Sequence, residues 1–99
     1  RGQCPQNLDD AVNIASNDPS EQTHKVMQNI LQLIKEAGGE IKHLVKISVY
    51  ITDIKNREAV YRTIGEYIKG VHPVSTGLVV QALARPEWLV EVEATAVIT

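Results

Sequence analysis

Along this chain the hydrophobic period changes from helical to alternating and back, and each change marks an element. Val26, Ile30, Leu33, Ile34 and Ala37 recur three and four residues apart, the spacing of a one-faced amphipathic helix. Asp18 suits its N-cap, Pro19 its first helical position, and Glu21 stands three residues past the cap in a capping-box arrangement. Gly38-Gly39 supplies the left-handed stop. Alternation then takes over: Val45, Ile47, Val49 and Ile51 share one face of a strand, and Lys46, Ser48, Tyr50 and Thr52 the other. Asp53 to Asn56 provides turn and cap residues, with Asp53 as the cap. Val60, Ile64, Tyr67 and Ile68 form the stripe of a second helix, closed by Gly70 and barred from continuing by Pro73. Two more strands are predicted near residues 76–83 and 89–98, joined through Ala84-Arg85-Pro86-Glu87 as an antiparallel pair. Residues 4–18, rich in Pro, Asn, Asp and Ser, read as a long surface loop.

With Arg1-Gly2-Gln3 read as the end of a strand, the order is strand fragment, helix, strand, helix, strand, strand. The simplest packing that buries these faces is an α+β fold, a mainly four-stranded mixed β-sheet with two helices on one face. On the last strand Val90, Val92, Ala94, Ala96 and Ile98 are expected to face the helices. Glu91, Glu93, Thr95 and Val97 are then left on the other side. The preceding strand sets Leu78, Val80 and Ala82 against Val79, Gln81 and Leu83, so both its faces carry apolar residues. A sheet with helices on one side only and apolar residues on both is expected to pack against another subunit.

Composition narrows the function classes. Ninety-nine residues suit one domain, 1–99. A chain of this size buries only about 60–65% of the surface its unfolded form exposes, so association would help it. The formal net charge is −2 with cations interspersed among acids, and aromatic residues are few. That leaves neither a basic stripe for phosphates nor stacking platforms for bases, and no nucleic-acid partner is expected. A single cysteine, Cys4, rules out an internal disulfide framework and a Cys-rich zinc site, and a reducing cytoplasm is the default compartment. His24, His43 and His72 stand at no metal-ligand spacing, so neither metal nor cofactor is expected. No apolar run approaches the roughly 20 residues of a membrane helix.

The order and spacing of several short pieces carry more information than any one of them. They are Gly2-Gln3 and Pro5, Gln22 ahead of Asn29-Ile30, Ala37-Gly38, Val45-Lys46-Ile47, Thr52-Asp53, Pro73, and Val90-Glu91-Val92-Glu93-Ala94. Together they resemble the RidA/YjgF family of enamine and imine deaminases. The resemblance implies a chorismate-mutase-like homotrimer with sheets in a central barrel, helices outside, and three clefts between subunits that take a small carboxylate or imine-like ligand. It also implies that an N-terminal strand pair precedes Gly2, so that region is expected to be truncated here, along with a tyrosine that catalytic members use.

In the family an arginine grips the substrate carboxylate, and a glutamate on the last strand orients or activates the water that attacks the C=N carbon. Glu91 aligns with that glutamate. Ser75 aligns with the arginine, Gly77 with a frequent cysteine and Tyr61 with a frequent asparagine, so the chain resembles a divergent subgroup. A neutral hydroxyl offers one donor where a guanidinium presents a charged fork. Arg1 aligns with a small residue beside the cleft and could return a positive charge there, with Gly2 next to it. An exposed arginine at a frayed chain start is the plainer reading of Arg1. The resemblance leaves three readings open: an enamine or imine hydrolase using Glu91, a non-catalytic small-molecule-binding trimer, and an interaction or nucleolytic role.

Other residues have structural readings beside the functional ones. Glu91 and Glu93, two apart on a strand, share a face about 6–7 Å apart. Glu93 is expected to partner a backbone amide or a basic residue. Tyr61 is equally a packing residue of the second helix. His72 adjoins Pro73 at the expected cleft entrance, but reads more simply as a loop histidine in water. Cys4 lies in a loop, and Trp88 is a packing anchor at the turn before the last strand.

Overall fold

The computed structural model describes residues 2–99; Arg1, the expected extra cation, lies outside them. Two helices, α1 (Pro19–Glu36) and α2 (Arg57–Tyr67), cover one face of a mixed sheet built from β1 (Leu44–Ile51), β2 (Val74–Val79) and β3 (Val90–Ala96). The predicted α+β class holds. Within it, three strands stand among the described residues where four were expected, and the strand fragment at the start survives as a single bridge, Gln3 to Val92.

The boundary signals of α1 act largely as expected. Asp18 is extended and its carboxylate accepts the Ser20 N–H at 2.9 Å, while Pro19 opens the helix. The cap bond therefore goes to the second helical amide, not to that of Glu21. Gly38 at φ +88° makes the left-handed stop. Asp53 caps a short 3-10 turn, Ile54–Asn56, by accepting the Lys55 N–H at 3.0 Å, and this turn feeds α2 directly.

Strand pairing departs from the expected hairpin. The sheet order is β2-β1-β3, with β2 parallel and β3 antiparallel to β1. The segments at 74–79 and 90–96 run in opposite directions but never meet, because β1 lies between them. The physical reason is the connection through α2. A helix between β1 and β2 returns the chain for parallel addition on one edge, and β3 then closes on the other. Periodicity reports which residues share a face and is silent on neighbour order.

The core consists of Val26, Met27, Ile30 and Ile34 from α1, Val60 and Ile64 from α2, and Leu44, Ile47, Val49, Ile51, Val90 and Val92 from the sheet. Each such side chain contributes roughly 1.5–3 kcal/mol on transfer from water. Three expected inward positions fail, the first for a local reason. A register shift between Leu44 and Lys46 breaks the alternation, so Leu44 is buried and Val45 is exposed. Ala94, which pairs with Ile47, and Ile98 are exposed as well, while Ala96 between them packs against the core. Leu33, expected in the buried stripe, lies at its margin and is 39% exposed.

Candidate functional site

Glu91 projects from β3 opposite Tyr50 of β1, on the sheet face away from the helices, between the buried Val90 and Val92. The N-terminal segment is sewn to it. Gln3 N–H donates to Val92 O at 2.7 Å and Val92 N–H returns to Gln3 O at 3.0 Å, which sets Gly2 and Cys4 against the half-buried Glu91 side chain. The Cys4 thiol donates to Glu91 Oε1 at 3.4 Å. A Cβ at Gly2 would collide with Glu91 Oε2 and come within 2.9 Å of Cδ, so only glycine leaves the carboxylate where it is.

Buried amides fix this arrangement, and the sequence reading assigned them no role. Asn29, 3% exposed, donates through Nδ2 to Cys4 O at 3.2 Å and Gln6 O at 2.8 Å, holding the loop to α1. Gln22 donates to Ser16 O and Glu87 O and accepts the Leu89 N–H at 2.8 Å, fixing the approach to β3. A usable signal existed. Both amides lie in phase with the apolar stripe of α1, and a polar residue there must find partners when buried. Trp88 is buried as expected, and its indole N–H also donates to Asn13 Oδ1 at 2.9 Å.

Glu93 has a different environment from Glu91. It is exposed, and its Oε1 accepts the Tyr50 hydroxyl at 3.0 Å, a partner other than the amide or basic residue expected. The hydrogen bond to Glu93, reinforced by its charge, raises the Tyr50 phenol above its ordinary value of 10.0. Lys46, Ser48, Glu93, Ala94 and Thr95 line a shallow pocket of about 200 Å³ on this face.

The remaining expected site residues gather elsewhere. Ser75 pairs with Ile47 and Gly77 with Val49, which puts both on the helix side of β2, the outer strand farthest from Glu91. All of β2 is exposed. Tyr61 crosses from α2 so that its hydroxyl lies over Gly77, where a Cβ would collide with the oxygen and stand 3.0 Å from Cζ. Its ring supports the Arg57 guanidinium at 4.4 Å. Within one chain, then, Gly2 and Glu91 meet, Tyr61 and Gly77 meet, and the two groups occupy opposite edges and opposite faces. The groove of about 620 Å³ beside Asp9, Lys25 and Glu36 touches none of them. Among the described residues no cluster of His, Cys, Asp and Glu could hold a metal ion, and no helix is long and apolar enough to cross a membrane.

Comparison with known proteins agrees with the fold. The family described as Endoribonuclease L-PSP matches residues 1–98. A RutC family protein from Pyrococcus abyssi is 31% identical over 83 residues, covering 84% of this chain; the chain spans only 65% of that relative's length. A Yersinia pestis structure from the conserved Rid protein family, of unknown function, is 34% identical with a TM-score of 0.89, covering 97% of this chain and 75% of its own. A Mycobacterium tuberculosis member of the YjgF/YER057c/UK114 family gives 26% and 0.86, covering 99% and 75% respectively. With its two helices over a mixed sheet and a match along almost its whole length, the chain belongs to the Rid/YjgF family.

Proposed function

We infer that the protein hydrolyses small enamines or imines to carbonyl compounds and ammonia, in a cleft formed between chains of a homotrimer, with Glu91 acting on water. The observation that carries this reading is the placement of Glu91: a half-buried carboxylate held by Cys4 at one oxygen and packed against a glycine at the other. A carboxylate fixed in this way is suited to general-base work. On a protonated imine it takes a proton as water adds to the C=N carbon, giving the neutral carbinolamine. That proton passes to nitrogen, and the carboxylate takes the carbinolamine hydroxyl proton as the C–N bond breaks, releasing ammonia and the carbonyl compound.

The separation of the two residue groups supports a cleft between chains. Glu91 lies near one sheet edge and Ser75, Gly77 and Tyr61 near the other, so a second copy is needed to bring one group to face the other. The wholly exposed β2, whose outer edge has no strand neighbour among the described residues, gives such a contact apolar surface, with Val74 at 68% and Leu78 at 51%.

A second reading, a small-molecule-binding trimer without catalysis, is favoured by Ser75. It is exposed and neutral, and no residue of β2 is a cation. Nucleolytic activity, which the family description names, finds less support, because the formal net charge is −2 and the face that carries Glu91 also carries Glu93. The deciding experiment adds the protein to freshly generated 2-iminopropionate and related imines and follows ammonia release. Acceleration that disappears in Glu91→Gln supports the hydrolase. No acceleration on any imine, alongside ligand-dependent thermal stabilisation, sinks it in favour of the binding reading. Sedimentation at the mass of three chains would bear on the assembly.

A further inference from the structure

A shallow, open groove of about 780 Å³ is lined by Ile54, Lys55, Arg57, Glu58, Tyr61 and Arg62. It lies where the chain leaves β1 and enters α2, at the carboxyl end of the parallel β1–β2 pair. Three cations and one acid line it, giving a local charge of +2 on a chain whose formal net charge is −2.

The three cations are not equivalent. Lys55 lies 3.5 Å from Asp53, and Arg62 donates to Glu58 at 3.0 Å. Arg57 has no carboxylate partner among the described residues. Its guanidinium instead rests on the Tyr61 ring, 4.4 Å from the centroid. Stacking on one face restrains a guanidinium while leaving its edge N–H groups to donate. Tyr61 is itself fixed, because its hydroxyl sits over Gly77 in a gap that no Cβ could share. The sequence thus builds a restrained, uncompensated arginine at the wall of a groove with a net positive lining.

We propose that this groove binds a small oxyanion, a carboxylate or phosphate group on a small molecule, with Arg57 as the bidentate donor and Tyr61 as its support. A planar two-oxygen edge matches the guanidinium fork. The three cations are clustered on the 3-10 turn and the first two turns of α2, with no stripe running across the surface. A small anion fits that layout better than a polynucleotide, whose phosphates need an extended track. The site shares Tyr61 with the cleft proposed above but does not require Glu91 to act on water, so anion binding and imine hydrolysis are tested separately.

The test titrates the full chain with inorganic phosphate and, separately, with acetate and citrate, following backbone amide shifts. Saturable shifts confined to residues 54–62 and 77–79 are expected. Arg57→Gln should weaken the affinity about tenfold or more, the loss of a charge-assisted hydrogen bond. Tyr61→Leu should weaken it less, by freeing the arginine without removing it. Tighter binding in the phosphate arm or in the carboxylate arms identifies the group preferred. Shifts scattered over the surface, shifts unchanged by Arg57→Gln, or a response to RNA oligonucleotides alone would each overturn the proposal. Arg57 is exposed, so the variant should keep its thermal unfolding, and a circular dichroism melt checks that the protein tested is folded.

Discussion

Gly2 and Glu91 occupy space that a single methyl group would make impossible to share: a Cβ on Gly2 would overlap Glu91 Oε2 and sit 2.9 Å from Cδ. The atom it meets is the far end of a flexible side chain, so a Gly2→Ala chain can fold by turning Glu91 aside. Stability should then change by less than about 1 kcal/mol, while imine hydrolysis falls at least about tenfold, since catalytic groups tolerate little displacement. Melting temperature and ammonia release measured on the same preparation separate the two effects. A variant as active as the parent would show that the position of Glu91 is not used.

Gly77 and Tyr61 make a comparable pair with the opposite consequence. The Tyr61 ring is half-buried against the core and cannot swing freely, so Gly77→Ala should cost about 1–3 kcal/mol by overpacking. Removing the hydroxyl should relieve most of that cost. In a Tyr61→Phe background the same alanine should be at least about 1 kcal/mol less destabilising, as read from a double-mutant cycle of denaturant melts.

Gln22 supports the chain ahead of β3 with three hydrogen bonds from a side chain 2% exposed. Gln22→Leu keeps the volume but orphans the Leu89 amide and two carbonyls. A loss of about 2–3 kcal/mol is expected, on the scale of unsatisfied buried groups. In a chain of this length that should lower Tm by roughly 8 °C or more. A Tm within about 2 °C of the parent would mean that water replaces the amide.

The raised Tyr50 phenol gives a pH dependence whose sign follows from linkage. Its neutral form donates to Glu93 in the folded protein, so the folded value lies above the unfolded one. The contribution to stability is present in full below about pH 10 and is lost as pH rises through the folded value. Glu93→Gln should bring the Tyr50 ionisation back towards its ordinary range. Phenolate absorbance, followed in a Tyr61→Phe/Tyr67→Phe background, checks this directly; no movement would show that the carboxylate does not accept from Tyr50.

Much of this architecture was legible in local pattern. Asp18-Pro19 and Gly38 bound α1, and Asp53 caps the turn before α2. Ile47, Val49 and Ile51, with Val90 and Val92, declare the buried face, because burial of a helix stripe or a strand face leaves a period that survives in one dimension. Glu91 was legible only through its place in a family pattern, since alternation by itself makes it indistinguishable from Glu93. The two carboxylates differ because Cys4 and Gly2 reach the one and Tyr50 the other. Those contacts span sequence separations that no periodicity records.

The sequence by itself determined the elements, their caps and their apolar faces, because these depend on neighbours within a few residues. The tertiary structure alone decided that β1 separates β2 from β3, that a register shift turns Val45 outward, and that Asn29 ties the Cys4 loop beside Glu91. It also decided that Glu91 and Ser75 lie on opposite edges and faces of one sheet. Each of these depends on which distant segments share hydrogen bonds, and that choice is made by how the buried surfaces fit together in three dimensions.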